Sequence, residues 1–357
     1  MPVRESSDDA LSRICIGAYP QLISQAYERL LQSHVMDPLA RVGRPAAIAN
    51  PEGATLTSRV AWLRLGAETA RISSSACNDY RVCTLLDSAL KPFASIGTRT
   101  AGNSRQELTL ISSDCPSELI AVLMHHVRVG DGASADAMPF RIENEKGEPL
   151  VSLDETAESV DAVASVEAMQ PEQYFADAVA ALGEAPRNPG AVAVNHAVLK
   201  SLSAIAEHAN ESGKGWTMID HRVREWTPLC RAAAVHEGHF STEPHDVLVL
   251  ATRRDAAGEA LDGQRTYRIR FERWSEPPAN ASWFLFVSPA ASGRVELVRE
   301  QPAMNITIGP APPKDGRQNW IETLPGDAPL EVRLILCWPS ERARSEIWTP
   351  PDIIALD

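Results

Sequence analysis

The sequence predicts a mostly β, multidomain protein, α+β overall, in which two antiparallel-sheet regions flank a helical middle. Three observations carry this. Between about residues 48 and 152, and again from His245 onwards, short apolar segments alternate with Gly, Ser, Asn, Asp and Pro, the texture of strands and turns. Between these regions, residues 153–187 are rich in Ala, Glu and Asp, and apolar side chains recur at three- and four-residue spacing. Finally, 357 residues is a length for two or three domains, each able to bury its own core.

The first expected element is a helix, with Leu22, Ile23, Ala26, Tyr27, Leu30, Leu31, His34 and Val35 on one amphipathic face that stops near Asp37-Pro38. Strand-length runs follow at 60–63, 80–86 and 107–111. Pro171 at a first helical position and Gly183 just past the end frame a helix whose stripe is Tyr174, Phe175, Ala178, Val179 and Leu182. Pro189 opens the next, with Val194, Val198, Leu202 and Ile205 on its face. Residues 247–250 read as a buried strand, and 267–271 alternate apolar with basic residues, giving one side to a core and the other to water. The expected boundaries are 1–44 for an N-terminal helical segment, 45–152 for a β domain, 153–235 for a helical region and 236–357 for a second β domain.

Charge and cysteine usage narrow the field. Lys and Arg number 34 against 47 Asp and Glu, a formal charge of -13, which argues against nucleic acid as a partner because phosphate neutralisation needs clustered cations. The six cysteines contain no C-x-x-C pair, so zinc-ribbon and thioredoxin-type chemistry lose their support. The polar, partly acidic start is unlike a secretory signal, and no apolar run approaches the roughly 18 residues of a membrane helix, so a cytoplasmic protein with free thiols and no membrane partner is expected.

Several words of the sequence are more specific. Residues 93–100, Phe-Ala-Ser-Ile-Gly-Thr-Arg-Thr, resemble the signature of the bacterial domain-of-unknown-function family 1254. Asp262-Gly263, the run 267–271, Asn319-Trp320, the run Leu336-Cys337-Trp338-Pro339 and Trp348-Thr349-Pro350-Pro351 resemble, in order, the domain-of-unknown-function family 1214. The resemblance spans about Pro45 to Ile354. It implies an N-terminal immunoglobulin-like β-sandwich, a helical middle region and a C-terminal jelly-roll-type β-sandwich; it implies no activity, because neither family has one assigned. This chain departs from the family at 50–57, keeping Thr55 and Leu56 but lacking the usual Asp and Tyr.

Candidate site residues follow from side-chain chemistry. Arg99 offers a planar fork of donors for a carboxylate or phosphate, flanked by the hydroxyls of Thr98 and Thr100. The alternative is that Arg99 ties one domain to the other through an acidic side chain. Asp246 is the carboxylate selected to act with Arg99. Asn319 and Trp320, in a Pro- and Gly-flanked loop, are selected for ligand contact. His236, His239 and His245 form the metal candidate weighed, although the first two stand three apart with Gly238 between, unlike H-E-x-x-H, and a His-rich helix end is ordinary loop chemistry. His125-His126 reads as a surface or strand-end pair. No phosphate-loop, dinucleotide or hydrolase-elbow motif occurs, and no cofactor is implied.

Three functions are compatible with these residues. The first is a cofactor-independent enzyme acting on a small organic molecule, with Arg99 and Asp246 catalytic. The second is a non-catalytic protein binding a small-molecule or carbohydrate-like ligand. The third is a structural or assembly protein, with sheet edges open to homo-oligomer contacts.

Overall fold

The computed structural model describes residues 7–356, apart from 33, 40–44, 67–68, 130–137, 154–159, 185, 187, 211–214, 220–226, 239, 241, 273–275, 292, 300–302, 315, 317–318, 325, 327–328 and 346–347. In chain order the elements are α1 (Ser7–Leu31), β1 (Ala47–Asn50), β2 (Thr55–Arg64), β3 (Ala70–Ser74), β4 (Tyr80–Leu86), β5 (Pro92–Gly97), α2 (Thr98–Ala101), β6 (Gln106–Leu110), β7 (Leu119–Arg128) and β8 (Phe140–Asn144). Then come α3 (Ala162–Glu167), α4 (Pro171–Leu182), α5 (Ala191–Asn210), β9 (Thr217–Ile219) and α6 (Pro228–His236). The last part holds β10 (Val247–Thr252), β11 (Thr266–Glu272), β12 (Ala279–Ser288), β13 (Gly293–Glu296), β14 (Ala303–Gly309), β15 (Trp320–Glu322), β16 (Glu331–Pro339), α7 (Glu341–Arg344) and β17 (Ile353–Leu356). The chain is therefore β-rich and multidomain with a helical middle, and among the described residues no helix is long and apolar enough to cross a membrane.

Four sheets result, ordered β2-β7-β4-β5, β6-β3-β8, β13-β1-β12-β16-β10-β9 and β15-β14-β11-β17. Side-chain alternation explains how they stack. In β2, β4 and β7, Ala61, Leu63, Cys83, Leu85, Ile120 and Val122 point toward Ile72, Phe140 and Ile142 of the three-stranded sheet. Their opposite faces are shared between two neighbours. Val60, Trp62, Ala121 and Leu123 meet the helices, whereas Leu56, Tyr80, Val82 and Val127 meet Val247, Phe284, Phe286, Ile335 and Cys337 of the six-stranded sheet. The other face of that sheet, carrying Leu248, Trp283, Leu285 and Leu334, encloses a core with Tyr267, Ile269, Phe271, Met304 and Ile306 of the four-stranded sheet. Two central sheets are thus buried on both sides, which is why β2, β4, β7 and β16 read as nearly continuous apolar runs instead of clean alternation.

Two segments differ from the sequence expectation. The first helix begins at Ser7 because Leu11, Ile14, Cys15, Ala18 and Tyr19 extend the same stripe, and all are buried against α3–α6. It ends at Leu31, so Val35 is not helical; Met36 instead bridges to Val60, the two residues exchanging backbone bonds of 3.1 and 2.9 Å. The N-terminal helix and the middle helices therefore build one core. β1, which follows it, pairs with β12 and β13 far down the chain instead of joining the sheet of β2. Asn50 fixes that crossing: its amide donates to Ser282 Oγ at 2.9 Å and to the Trp283 carbonyl at 2.6 Å, while its Oδ1 accepts from the amides of Glu52 and Ala54.

Candidate functional site

Arg99 and Asp246 come from opposite halves of the sequence and meet where the sheet of β4 and β5 faces the six-stranded sheet. Gly97 ends β5 with no room for a side chain, since a Cβ there would lie 2.4 Å from the Arg81 carbonyl. The chain then turns into the single-turn α2, which carries Arg99. Its Nε donates to Asp246 Oδ1 at 2.6 Å and its Nη2 to Oδ2 at 3.1 Å, a bidentate pair. Ser95 donates to the same Oδ2 at 2.8 Å. The Asp246 carbonyl accepts from the Tyr80 hydroxyl at 2.6 Å and from the Trp338 amide at 2.7 Å, and the Tyr80 and Trp338 rings stack at 6.1 Å. Asp246 is buried, its side chain 2% exposed against 30% for Arg99. The hydrogen bond to Asp246 raises the Arg99 pKa, and burial pushes the Tyr80 phenol well above its ordinary range. Both oxygens of the carboxylate are committed.

The threonines beside Arg99 face inward to the backbone. Thr98 Oγ1 accepts from the Arg81 amide at 3.0 Å and donates to the Asp79 carbonyl at 3.3 Å; Thr100 Oγ1 accepts from the Gly97 amide and donates to the Gly97 carbonyl, both at 3.0 Å. They shape the turn that presents Arg99.

His125 and His126 are core residues of β7, 4% and 6% exposed, which corrects the surface reading: the strand is covered on both faces. His125 Nδ1 and Ser58 Oγ are hydrogen-bonded at 2.9 Å, while Nε2 is buried without a partner. Burial lowers the His125 pKa from 6.5 to about 4, with the nearby Asp246 charge opposing. A cavity of about 30 Å³ adjoins it, lined by Phe240, Thr242, Val249, Arg333 and Ile335 among others. That is room for about one water molecule.

Of the three histidines weighed for a metal, His236 and His245 have separate partners. His236 Nδ1 lies 3.0 Å from the Tyr19 hydroxyl and 3.5 Å from Glu167, and His245 Nδ1 lies 2.9 Å from Glu243; His239 lies outside the described residues. Glu237 pairs with Arg253, which also holds Glu331 at 2.6 Å, while Glu331 holds Arg333 through its other oxygen. This network ties the end of α6 to the six-stranded sheet. Among the described residues no group of three or more His, Cys, Asp or Glu could hold a metal ion.

Asn319 and Trp320 lie at the far edge of the four-stranded sheet. Asn319 has a left-handed φ of 51° and is buried; its side chain accepts from the Val298 amide at 2.6 Å and donates to the Val298 carbonyl at 2.8 Å. It thereby anchors the loop between β14 and β15. The Trp320 indole N–H donates to the Gly309 carbonyl at 3.0 Å.

Beside that loop lies a groove of about 860 Å³, between the outer sheet surface at Thr266, Thr307 and Leu356 and the turn of Pro312, Pro313 and Lys314. Gln264 and Arg265 complete its polar lining, which among the described residues contains two cations and no carboxylate. Sequence reading passed over it, although the basic alternation of β11 next to a Pro-Pro loop was its signal. Another groove, about 570 Å³ between α1 and β2, has its Arg64 already held by Glu28 through two bonds of 2.6 Å.

Comparison with known proteins places one part of this architecture. Residues 246–341 match the family model described as Protein of unknown function (DUF1214). The DUF1214 match runs from Asp246 through β16 to the first residue of α7, and so includes most of the groove lining together with the carboxylate that holds Arg99. No curated protein matches the chain in sequence. In three dimensions the chain is similar to the crystal structure of the VPA0106 protein from Vibrio parahaemolyticus, with a TM-score of 0.57 at 12% identity over 98% of this chain and 100% of that one. An uncharacterized protein from Burkholderia cenocepacia gives 0.45 at 10% identity, over 95% of this chain and 86% of that one. The first likeness shows a fold shared over the whole length.

Proposed function

We propose that this chain is a non-catalytic ligand-binding protein whose site is the groove under the Pro312-Pro313 turn, and whose ligand is a small, anionic, hydroxyl-bearing molecule. The carrying observation is the lining itself: among the described residues it holds Arg265 and Lys314 and no carboxylate, in a chain of net charge -13, with Gln264, Thr266 and Thr307 as hydrogen-bonding groups. At about 860 Å³ the groove is also within the usual size of ligand sites, roughly 300–1,000 Å³. In this reading the β domains are sandwiches, the C-terminal one of the jelly-roll type and the N-terminal one immunoglobulin-like and related to family 1254; the two facing cores support that form.

A thermal-shift screen of the full chain with sugar acids, hydroxy acids and neutral sugars tests it. Ligand at 100 times its dissociation constant stabilises by about 2.7 kcal/mol, so a response to an anionic member, lost in Arg265→Ala, is expected. No response to any anionic member would sink the proposal.

One observation favours a second, catalytic reading: the unpartnered Nε2 of His125, close enough to the Asp246 charge to feel it, in a junction that also holds Tyr80 and Arg99. Imidazole, phenol and carboxylate are acid–base groups. This reading needs the small cavity to open, and it predicts a ligand response abolished by His125→Gln but indifferent to Arg265→Ala.

A further inference from the structure

The groove opens onto the outer face of the four-stranded sheet, and the register of that sheet says what lies along it. Tyr267, Ile269 and Phe271 point into the core, so Thr266, Arg268 and Arg270 point out. Cross-strand pairing puts Trp320, Thr307, Arg268 and Ile354 in one row across all four strands. At about 4.8 Å between strands the row is roughly 14 Å long. The neighbouring row contains Glu322, Gly309, Thr266 and Leu356. A Cβ on Gly309 would lie 2.9 Å from Thr266 Oγ1, so no side chain stands there, and the indole N–H of Trp320 reaches over to the Gly309 carbonyl. The ring is half-buried at the edge of that row.

Charge is arranged along the same path. Arg270 is held by Glu272 at 2.6 Å, but Arg265, Arg268 and Lys314 have no carboxylate partner among the described residues. We infer that the ligand is an acidic oligosaccharide that leaves the groove and crosses the sheet over Trp320 and Arg268, an inference that rests on the binding reading above. A guanidinium takes a sugar carboxylate through two parallel bonds. An indole offers a flat apolar surface with a polar edge, suited to the face of a sugar ring, and Thr and Gln side chains serve its hydroxyls. Three cations without a carboxylate partner among the described residues suffice for a carboxylate on alternate rings. They are too few for a phosphate backbone, which the net charge of -13 also repels beyond the patch.

The test is binding of the full chain to oligomers of four to six residues from galacturonate, mannuronate, guluronate and hyaluronate, beside the corresponding monomeric acids, a neutral maltohexaose and single-stranded DNA. At least one acidic oligomer should bind about tenfold or more tighter than its monomer, since each added contact contributes about the free energy of a decade in affinity. Arg268→Met, at an exposed position, and Trp320→Leu, which removes the flat ring, should each weaken the oligomer much more than the monomer. Circular dichroism confirms that both variants fold. Monomers that bind as well as every oligomer overturn this inference and leave the groove reading standing. No acid of either length binding overturns both, and DNA binding alone replaces the saccharide with another polyanion.

Discussion

The junction around Arg99 and the groove around Arg265 both present arginine to a crevice, and they differ in what the arginine already holds. At the junction the donors close on one residue: Arg99 grips Asp246 through two bonds, Ser95 grips the same carboxylate, and Tyr80 and Trp338 close on the Asp246 carbonyl. In the groove Arg265 lies over the face of Tyr267, 5.9 Å from the ring centroid, with no carboxylate partner among the described residues, and Lys314 stands at a turn. Breaking a buried, satisfied pair leaves a desolvated charge behind and shows up as lost stability. Removing an exposed, unsatisfied cation costs the fold almost nothing and is felt only by a ligand. Arginines of the same chemistry therefore divide into struts and binders according to their partners.

The sharpest break at the junction is apolar. Phe284 is fully buried between the sheets, and Phe284→Ala should destabilise by about 3–5 kcal/mol, read as a lowered denaturant midpoint. Acid should act next. His125 is neutral in the folded chain, with a pKa of about 4 against 6.5, so the unfolded chain takes up the proton first. Its contribution is complete above about pH 6.5 and is lost as pH falls toward 4, by at most about 3 kcal/mol. His125→Gln should flatten that part of the stability profile, and an unchanged profile would contradict the assignment. Arg99→Met should cost about 2 kcal/mol, less than a fully buried pair because solvent reaches the arginine, with groove binding unaltered. Loss of ligand response without loss of stability would instead make Arg99 a binder. Smallest for the fold is Arg265→Ala, within about 0.5 kcal/mol in stability yet abolishing the anion response.

The elements that residues 171–182 and 191–210 form were legible because their stripes and their Pro and Gly boundaries are local signals. The pairing of β1 with β12 was not, since four residues of Ala, Ile and Asn carry no hint of a partner so far along the chain. The same limit governs the sites. Arg99 and Asp246 could each be named for their chemistry, but a strut and an active pair have the same composition, and only the closed bonding of the carboxylate separates them. Lys314, Thr307 and Arg265 were invisible as a set because nothing local links them until β14 and β11 bring them under one turn. His125 was misread because alternation describes a strand with one wet face, and β7 has none.

The placement of β1 has a temporal side. Ala47 pairs with Val287, which leaves the ribosome about 240 residues later. At synthesis rates of about 5–20 residues per second, that strand is made some 12–48 s before its partner exists. Until β12 and β16 are made, the apolar surface at Leu56, Tyr80 and Val82 lacks Phe284, Phe286, Ile335 and Cys337 to pack against. The molecule is thus finished from its far end.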